Sequence, residues 1–279
     1  MPDTIITSRR HALVSRCRDA ADGQAEEVLL EGPHLLADAI AAGLALPLVI
    51  VAEGADDRPE IRDIVARAET AGYRVQRVTP GVLDAASPTR TPVGVLALAS
   101  LALHEIPRLV TPAPALVTVA VGVQDPGNLG TIIRSTEAAG GTGVLAAGGT
   151  AHPFGWKALR GSMGSALRLP IARASDPAAA LAELRSRGLR VVALAADAPV
   201  TLHDADLTGP IGLVAGAEGA GLPAWLQDEA DLRVRIPMHP PVESLNVGVA
   251  ASLVLFEVAR QRAARPSRTA TPESGGRDE

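Results

Sequence analysis

Short apolar runs alternate along this chain with amphipathic segments of helical period. EEVLLEG (26–32) predicts a strand and PHLLADAIAAG (33–43) a helix, with Pro33 in the first turn, where its missing N–H costs little. LPLVIVAEG (46–54) predicts a second buried strand, Arg58–Ala71 a helix stopped at Gly72, and YRVQRVT (73–79) and TPVGVLALAS (91–100) further strands. This alternation describes a small α/β domain over residues 1–105. HEIPRLVTPAPA (104–115) carries three prolines in a short polar stretch, which puts a linker at 106–114.

From residue 115 the pattern restarts. ALVTVAVG is a buried strand, VQDPGNLG a loop, and TIIRSTEAAG a helix halted at Gly140 and Gly141. Next come the strand GVLAAGG, a Gly/Ser-rich helical segment at 157–165, and the strand ALRLPIAR (166–173). The helix DPAAALAELRSRG and the strand LRVVALAAD follow. PIGLVAGAEG (210–219) is a strand running into a loop, Pro223–Asp228 a short helix, and DLRVRIPM (231–238) a strand. A final helix is expected over Ser244–Arg262, apolar on most faces through Val249, Leu253, Val254 and Phe256 and therefore buried. Repeated βα units predict an open parallel sheet with helices on both faces over 115–263. Residues 264–279 are rich in Pro, Gly and Ser and read as a disordered tail.

Composition narrows the picture. Nearly half the residues are apolar and only 2% aromatic, so the core is built from Ala, Leu, Val and Ile. One cysteine, Cys17, excludes an internal disulfide and a cysteine-cluster zinc site; it reads as a small semi-buried side chain. The start, MPDTIITSRR, has no apolar signal-peptide core, and the longest apolar run, Leu44–Ala52, is too short to span a bilayer. A soluble cytoplasmic protein is expected. A net charge of −5 argues against a nucleic-acid partner unless a local basic patch exists; the cations are all Arg except Lys157.

Familiar nucleotide and metal motifs fail. GAEGAG (216–221) has the spacing G-x-x-G-x-G and follows a late strand, unlike a dinucleotide fingerprint. There is no P-loop and no G-x-S-x-G nucleophile elbow, and the six histidines are scattered, so no metal site is expected. Three loops remain, DPGNLG, GAEGAG and IPMHPPVESLN, each after a buried strand. Loops at the carboxyl ends of parallel strands are where such sheets bind ligands, so the three can line one cleft.

These residues resemble the SpoU (TrmH-type) branch of the SPOUT RNA methyltransferases. VQDPGNLGTIIRSTEAAG (123–140), LVAGAEGAGLP (213–223) and IPMHPPVESLNVGVAASLVLFEVARQR (236–262) are similar to its three motifs, in order. KALRGSMGSALRLP (157–170) is similar to its Ser/Gly segment. EGPHLL (31–36) and SPTRTPVGVLAL (87–98) look like the ribosomal-protein-like RNA-binding domain often fused to it. The resemblance implies a parallel-sheet domain with a C-terminal trefoil knot, S-adenosylmethionine as cofactor and a homodimer. It also implies methylation of an RNA ribose 2′-hydroxyl, a group that DNA lacks. The accessory domain tilts the substrate towards 23S ribosomal RNA; tRNA, or RNA binding without catalysis, are the alternatives.

The same resemblance assigns residues. Arg134 matches the catalytic arginine; its plain alternative is a helix ion pair with Glu137. As a permanently charged group it is either transiently deprotonated with phosphate help or a clamp that aligns the hydroxyl. Asn128 and Ser244 match site residues and are also natural helix N-caps. Glu218 and Asn246 match the remaining catalytic positions. Gly216, Ala217, Gly219, Ile236, Met238 and Leu245 match positions that hold the cofactor. Gly216 could equally be a turn needing positive φ. Gly248 departs from the serine common in the family.

Overall fold

The structure is a computed structural model that describes residues 4–23, 25–217, 219 and 221–264. Glu218 and residues 265–279, nearly all of the expected tail, lie outside the described residues; Ala264 is helical. The first half runs α1 (Ala12–Ala21), β1 (Glu27–Glu31), α2 (Pro33–Ala41), β2 (Leu48–Ala52), α3 (Pro59–Thr70), β3 (Val75–Val78), α4 (Pro80–Ala86) and β4 (Val95–Ser100). Its sheet has the order β1-β4-β2-β3, with β4 antiparallel to both neighbours.

The second half follows a one-turn helix α5 (Ile106–Leu109) inside the expected linker. It runs β5 (Leu116–Val121), α6 (Pro126–Ala138), β6 (Gly143–Ala147), α7 (Trp156–Ser162), β7 (Ile171–Ala174) and α8 (Pro177–Ser186). Then come β8 (Arg190–Leu194), β9 (Val200–Thr201), β10 (Ile211–Ala215), α9 (Ala224–Asp228), β11 (Leu232–Arg235) and α10 (Val247–Ala264). All seven strands are parallel, in the order β7-β6-β5-β10-β8-β11-β9. β5 and β10, side by side at the centre, are buried at every residue, which is why their sequences read as unbroken apolar runs.

Several boundaries differ from expectation for identifiable reasons. α1 escapes notice because its cap is His11, whose Nδ1 accepts from the Leu13 N–H. α4 opens with Pro80 and Gly81, which suggest a turn, although proline suits a first helical turn. β7 starts only at Ile171, because Pro170 has no N–H for a ladder; Ser165–Leu167 form a 3-10 turn instead. α6 starts at Pro126, earlier than expected, and its cap is Asp125 rather than Asn128: the Asp125 carboxylate accepts from the Asn128 N–H at 2.9 Å. α10 begins at Val247, capped by Asn246 rather than Ser244, because the Asn246 side-chain oxygen reaches the N–H groups of both Gly248 and Val249.

The final helix is not buried all round. Val247, Ala251, Val254, Leu255 and Val258 face the core, whereas Val249, Leu253 and Phe256 are 47%, 45% and 52% exposed. One apolar stripe seats on α6 and the sheet; the other is left exposed by the described residues. Gly248 lies on the seated side, where an added Cβ would come 2.9 Å from the Thr131 methyl on α6.

One apolar core runs through both halves. Val28, Leu30, Leu36 and Ile50 belong to the same cluster as Leu129, Ile133, Phe154, Leu159 and Ala251. At the seam, Gly23 (φ +73°) packs so closely on His152, Phe154 and Gly155 that any side chain there would overlap them. His152 is held in this seam, with Nδ1 accepting from the Phe154 N–H. Burial first, and the Arg173 charge second, push its pKa down from 6.5 to about 4. As pH falls through 6.5 the unfolded chain takes up a proton that the folded chain refuses, so stability falls and levels off below about 4. Denaturant melts between pH 7 and 4 should show this slope in the native chain and lose it in His152→Gln. An unchanged slope in the variant places its origin elsewhere.

Candidate active site

β10, β8 and β11 are neighbours in the sheet, and their carboxyl ends open into one cavity of about 510 Å³. That volume suits a mid-sized organic ligand. The loop after β10 supplies Gly216, Ala217 and Gly219; the segment after β11 supplies Ile236, Met238, Ser244 and Leu245; the start of α10 supplies Val247 and Ala250. All six residues expected to hold a cofactor therefore line a single cavity. Leu245 is in the loop before α10, 38% exposed, rather than in a buried helix.

Gly216 has a specific steric reason. It lacks positive φ, unlike Gly219 and Gly221 in the same loop. An added Cβ at Gly216 would instead overlap the backbone of Gly221 and Leu222, where the loop folds back on itself. The glycine lets two backbone segments touch, and the Gly221 N–H donates to the Ala217 carbonyl across the turn.

The cavity also has a wall that sequence reasoning missed. Leu194, Ala195, Ala196 and Asp197 close it at the end of β8, with Gln227 and Glu243 completing the rim. LRVVALAAD ends on a loop at a strand's carboxyl end, the same signal that singled out the other three loops. The lining suits adenosylmethionine: aliphatic side chains for a purine and thioether chain, backbone polar groups for the purine edge, and Asp197 and Glu243 for hydroxyls or an ammonium.

A second, more open hollow adjoins the cavity and shares Gly219, Ser244 and Leu245 with it, adding Asp125, Asn128 and Asn246. Here the first and third motifs meet: the Asn246 side-chain N–H donates to Asn128 Oδ1 at 2.9 Å, across 118 residues of sequence. Asn246 thus both caps α10 and ties it to α6. Ser252 and Ser135 reinforce the contact with a 2.6 Å hydrogen bond, and buried Thr118 and Thr136 tie α6 to β5 at 2.7 Å.

Beyond Asp125 a third hollow is lined by Arg134, Trp156, Lys157, Arg160 and Met163. The ion pair with Glu137, the plain alternative for Arg134, does not form. Arg168 takes Glu137 in a two-pronged contact at 2.8 Å, holding its carboxyl below the usual carboxylate range, and Arg168 also lies 3.8 Å from Asp38. Arg134 is exposed, and no hydrogen bond or ion pair ties it to another of the described residues. Three cations in one hollow supply the local positive patch that a net charge of −5 conceals. The arrangement can hold an electrophile in the deep cavity and an anionic polymer on the basic side, with Asn128, Ser244 and Asn246 between. No helix among the described residues is long and apolar enough to cross a membrane.

Comparison with known proteins agrees with this geometry. Residues 115–256 match the SpoU rRNA Methylase family, and residues 29–102 match the RNA 2′-O ribose methyltransferase substrate-binding domain. An uncharacterized tRNA/rRNA methyltransferase of Mycobacterium sp. (strain KMS) is 46% identical over 150 residues, covering 54% of this chain and 48% of that protein. The matched region thus spans about half the length of that relative. A 23S rRNA (guanosine-2′-O-)-methyltransferase of Xanthomonas campestris is 36% identical, covering 76% of this chain and 88% of its own. The crystal structure of an AdoMet-bound rRNA methyltransferase from Sinorhizobium meliloti superposes with a TM-score of 0.80 at 29% identity, over 92% of this chain and 97% of that one. The parallel-sheet domain with its cleft at the strand ends, preceded by a separate mixed sheet, and these matches over both halves place the chain in the SpoU family of RNA 2′-O-ribose methyltransferases.

Proposed function

We propose that this chain methylates a ribose 2′-hydroxyl of 23S ribosomal RNA in the cytoplasm, using S-adenosylmethionine. The observation that carries this reading is the junction at Asn128 and Asn246, where the cavity at the strand ends meets the hollow that holds Arg134. When bound, adenosylmethionine supplies a methyl group already made electrophilic by its sulfonium. The protein's task is then placement of the 2′ oxygen in line with that methyl. Gly216, Ala217, Gly219, Ile236, Met238 and Leu245 hold the cofactor, and Asn128, Ser244 and Asn246 face the ribose. Arg134 acts as a phosphate clamp: no hydrogen bond or ion pair ties its fork to another of the described residues, and it stands among other cations, a setting that attracts an anion. We assign residues 1–105 to RNA binding and 106–114 to a linker.

Mass spectrometry of ribose-methylated nucleosides, after incubating the protein with adenosylmethionine and unmodified rRNA or tRNA, tests this. One new 2′-O-methyl nucleoside in 23S rRNA is expected. A mark in tRNA alone would redirect the substrate. Cofactor binding with no mark in either would leave an RNA-binding protein.

We also read the chain as knotted and dimeric. β10 inserts between β5 and β8, and Arg262 at the end of α10 donates to the carbonyls of Pro114 and Ala115 just ahead of β5, which suits a C-terminal segment threaded through an earlier loop. The stripe of Val249, Leu253 and Phe256, left exposed by the described residues, suits a second copy of the chain. Phe256→Glu should shift a dimer to monomer in sedimentation velocity at micromolar concentration. A native chain that sediments as a monomer would remove the dimer from this reading.

A further inference from the structure

We propose that the hollow between α6 and α7 takes an unpaired nucleobase next to the target nucleotide, stacked on Trp156, with the adjoining phosphate on Lys157 and Arg160. This rests on the RNA-methylating reading and extends it, because it requires the RNA around the target to be single-stranded or looped.

The two helices that form the hollow lie in close contact. Gly130 on α6 and Gly161 on α7 let the helices touch: a Cβ on Gly130 would come 2.7 Å from the Ala158 carbonyl, and one on Gly161 would come 3.3 Å from the Gly127 carbonyl. Trp156 packs one side against the core and lines the hollow with the rest. The chain has only two tryptophans, and the second, Trp225, is elsewhere on α9. Over the Trp156 ring, 5.6 Å from its centre, stands the ammonium of Lys157. Lys157 is the only lysine in the chain, a flexible point charge where every other cation is a planar arginine fork. An exposed cation–π contact is weaker than stacking of a base on an aromatic ring. An arriving base therefore displaces the ammonium from the ring and frees it for the phosphate.

Met163 points the same way. It is the only non-glycine residue with positive φ (+48°) among the described residues, and it ends α7 where glycine is the usual choice. Its side chain is 60% exposed, so packing does not repay the strained backbone. What it provides is a polarizable apolar wall in a hollow whose other side chains are three cations, the Trp156 indole and, at the edge towards the cofactor cavity, the Asp125 carboxylate. A base inside a duplex is already stacked on both faces and cannot enter; single strands and loops can.

In a Trp225→Phe background Trp156 is the sole tryptophan and reports directly. Titration with a short unstructured oligoribonucleotide should quench its emission at about tenfold lower concentration than the same strand in a duplex. In that background Met163→Gly should raise the melting temperature yet weaken oligonucleotide binding, a split that a purely structural role cannot give. With full-length RNA, Trp156→Leu should lower kcat/KM about tenfold while Trp156→Phe keeps it, with adenosylmethionine affinity unchanged in both. Absence of quenching, equal quenching by the duplex, or equal impairment of the Leu and Phe variants overturns the base site. Methyl transfer measured alongside separates the two readings: transfer without quenching removes only the base site, and quenching without transfer removes the methylating reading but keeps a single-strand site.

Discussion

Arg134→Ala lowers methyl transfer by about two to three orders of magnitude while leaving adenosylmethionine affinity within a few-fold. The expectation follows from position. Arg134 lies in the basic hollow and not among the residues around the deep cavity. Nothing in the described chain competes for its guanidinium, because Arg168 already neutralises Glu137. Its removal leaves no unpaired partner among the described residues, so the fold should melt as before. Lysine keeps the charge but not the two-pronged geometry and should recover only part of the rate. Single-turnover rates with isothermal titration of the cofactor give both numbers. A large loss of cofactor binding in the alanine variant would show that Arg134 shapes the cavity rather than the RNA side.

Gly216→Ala weakens adenosylmethionine binding by about 10- to 100-fold, the equivalent of the 1–3 kcal/mol that overpacking usually costs. The added methyl overlaps the backbone of Gly221 and Leu222, and neither can retreat without spreading the loop that forms the cavity wall. Since β10 itself is unaffected, oligoribonucleotide binding should persist. Cofactor affinity equal to the native chain's would mean that the loop yields at little cost and that the glycine serves another purpose.

These two residues illustrate what was legible beforehand. Central strands such as β5 and β10 announce themselves by unbroken apolar runs, and their following loops stand out by glycine and asparagine. That Gly216, Ala217, Gly219, Ile236, Met238 and Leu245 would line one cavity was accordingly within reach. The fourth wall at Ala195–Asp197 was reachable by the same rule but carries no glycine to draw the eye. Strand order was not legible, because the insertion of β10 between β5 and β8 depends on contacts far apart in sequence. The caps went wrong for a local reason: Asp125 and Asn246 each compete with a nearby residue of similar capping power, and only geometry decides which oxygen reaches the free N–H groups. The exposed stripe on α10 was misread because an apolar period reports that a surface avoids water, not which molecule covers it. The partnership of Glu137 with Arg168 instead of Arg134 spans 31 residues and lies beyond any helix-spacing rule.

The core that passes uninterrupted from Val28 to Leu159 has a consequence for how the molecule comes apart. Two halves joined only by a proline-rich connector would melt independently, each with its own enthalpy. Halves that share buried side chains cannot: opening the first exposes Leu129, Ile133 and Phe154 of the second and withdraws the apolar burial on which it depends. Heating in a calorimeter should then give one cooperative transition whose enthalpy scales with the whole chain. The RNA-gripping half and the methyl-transferring half would be one thermodynamic unit, able to hold a fixed span between grip and chemistry because neither can loosen alone.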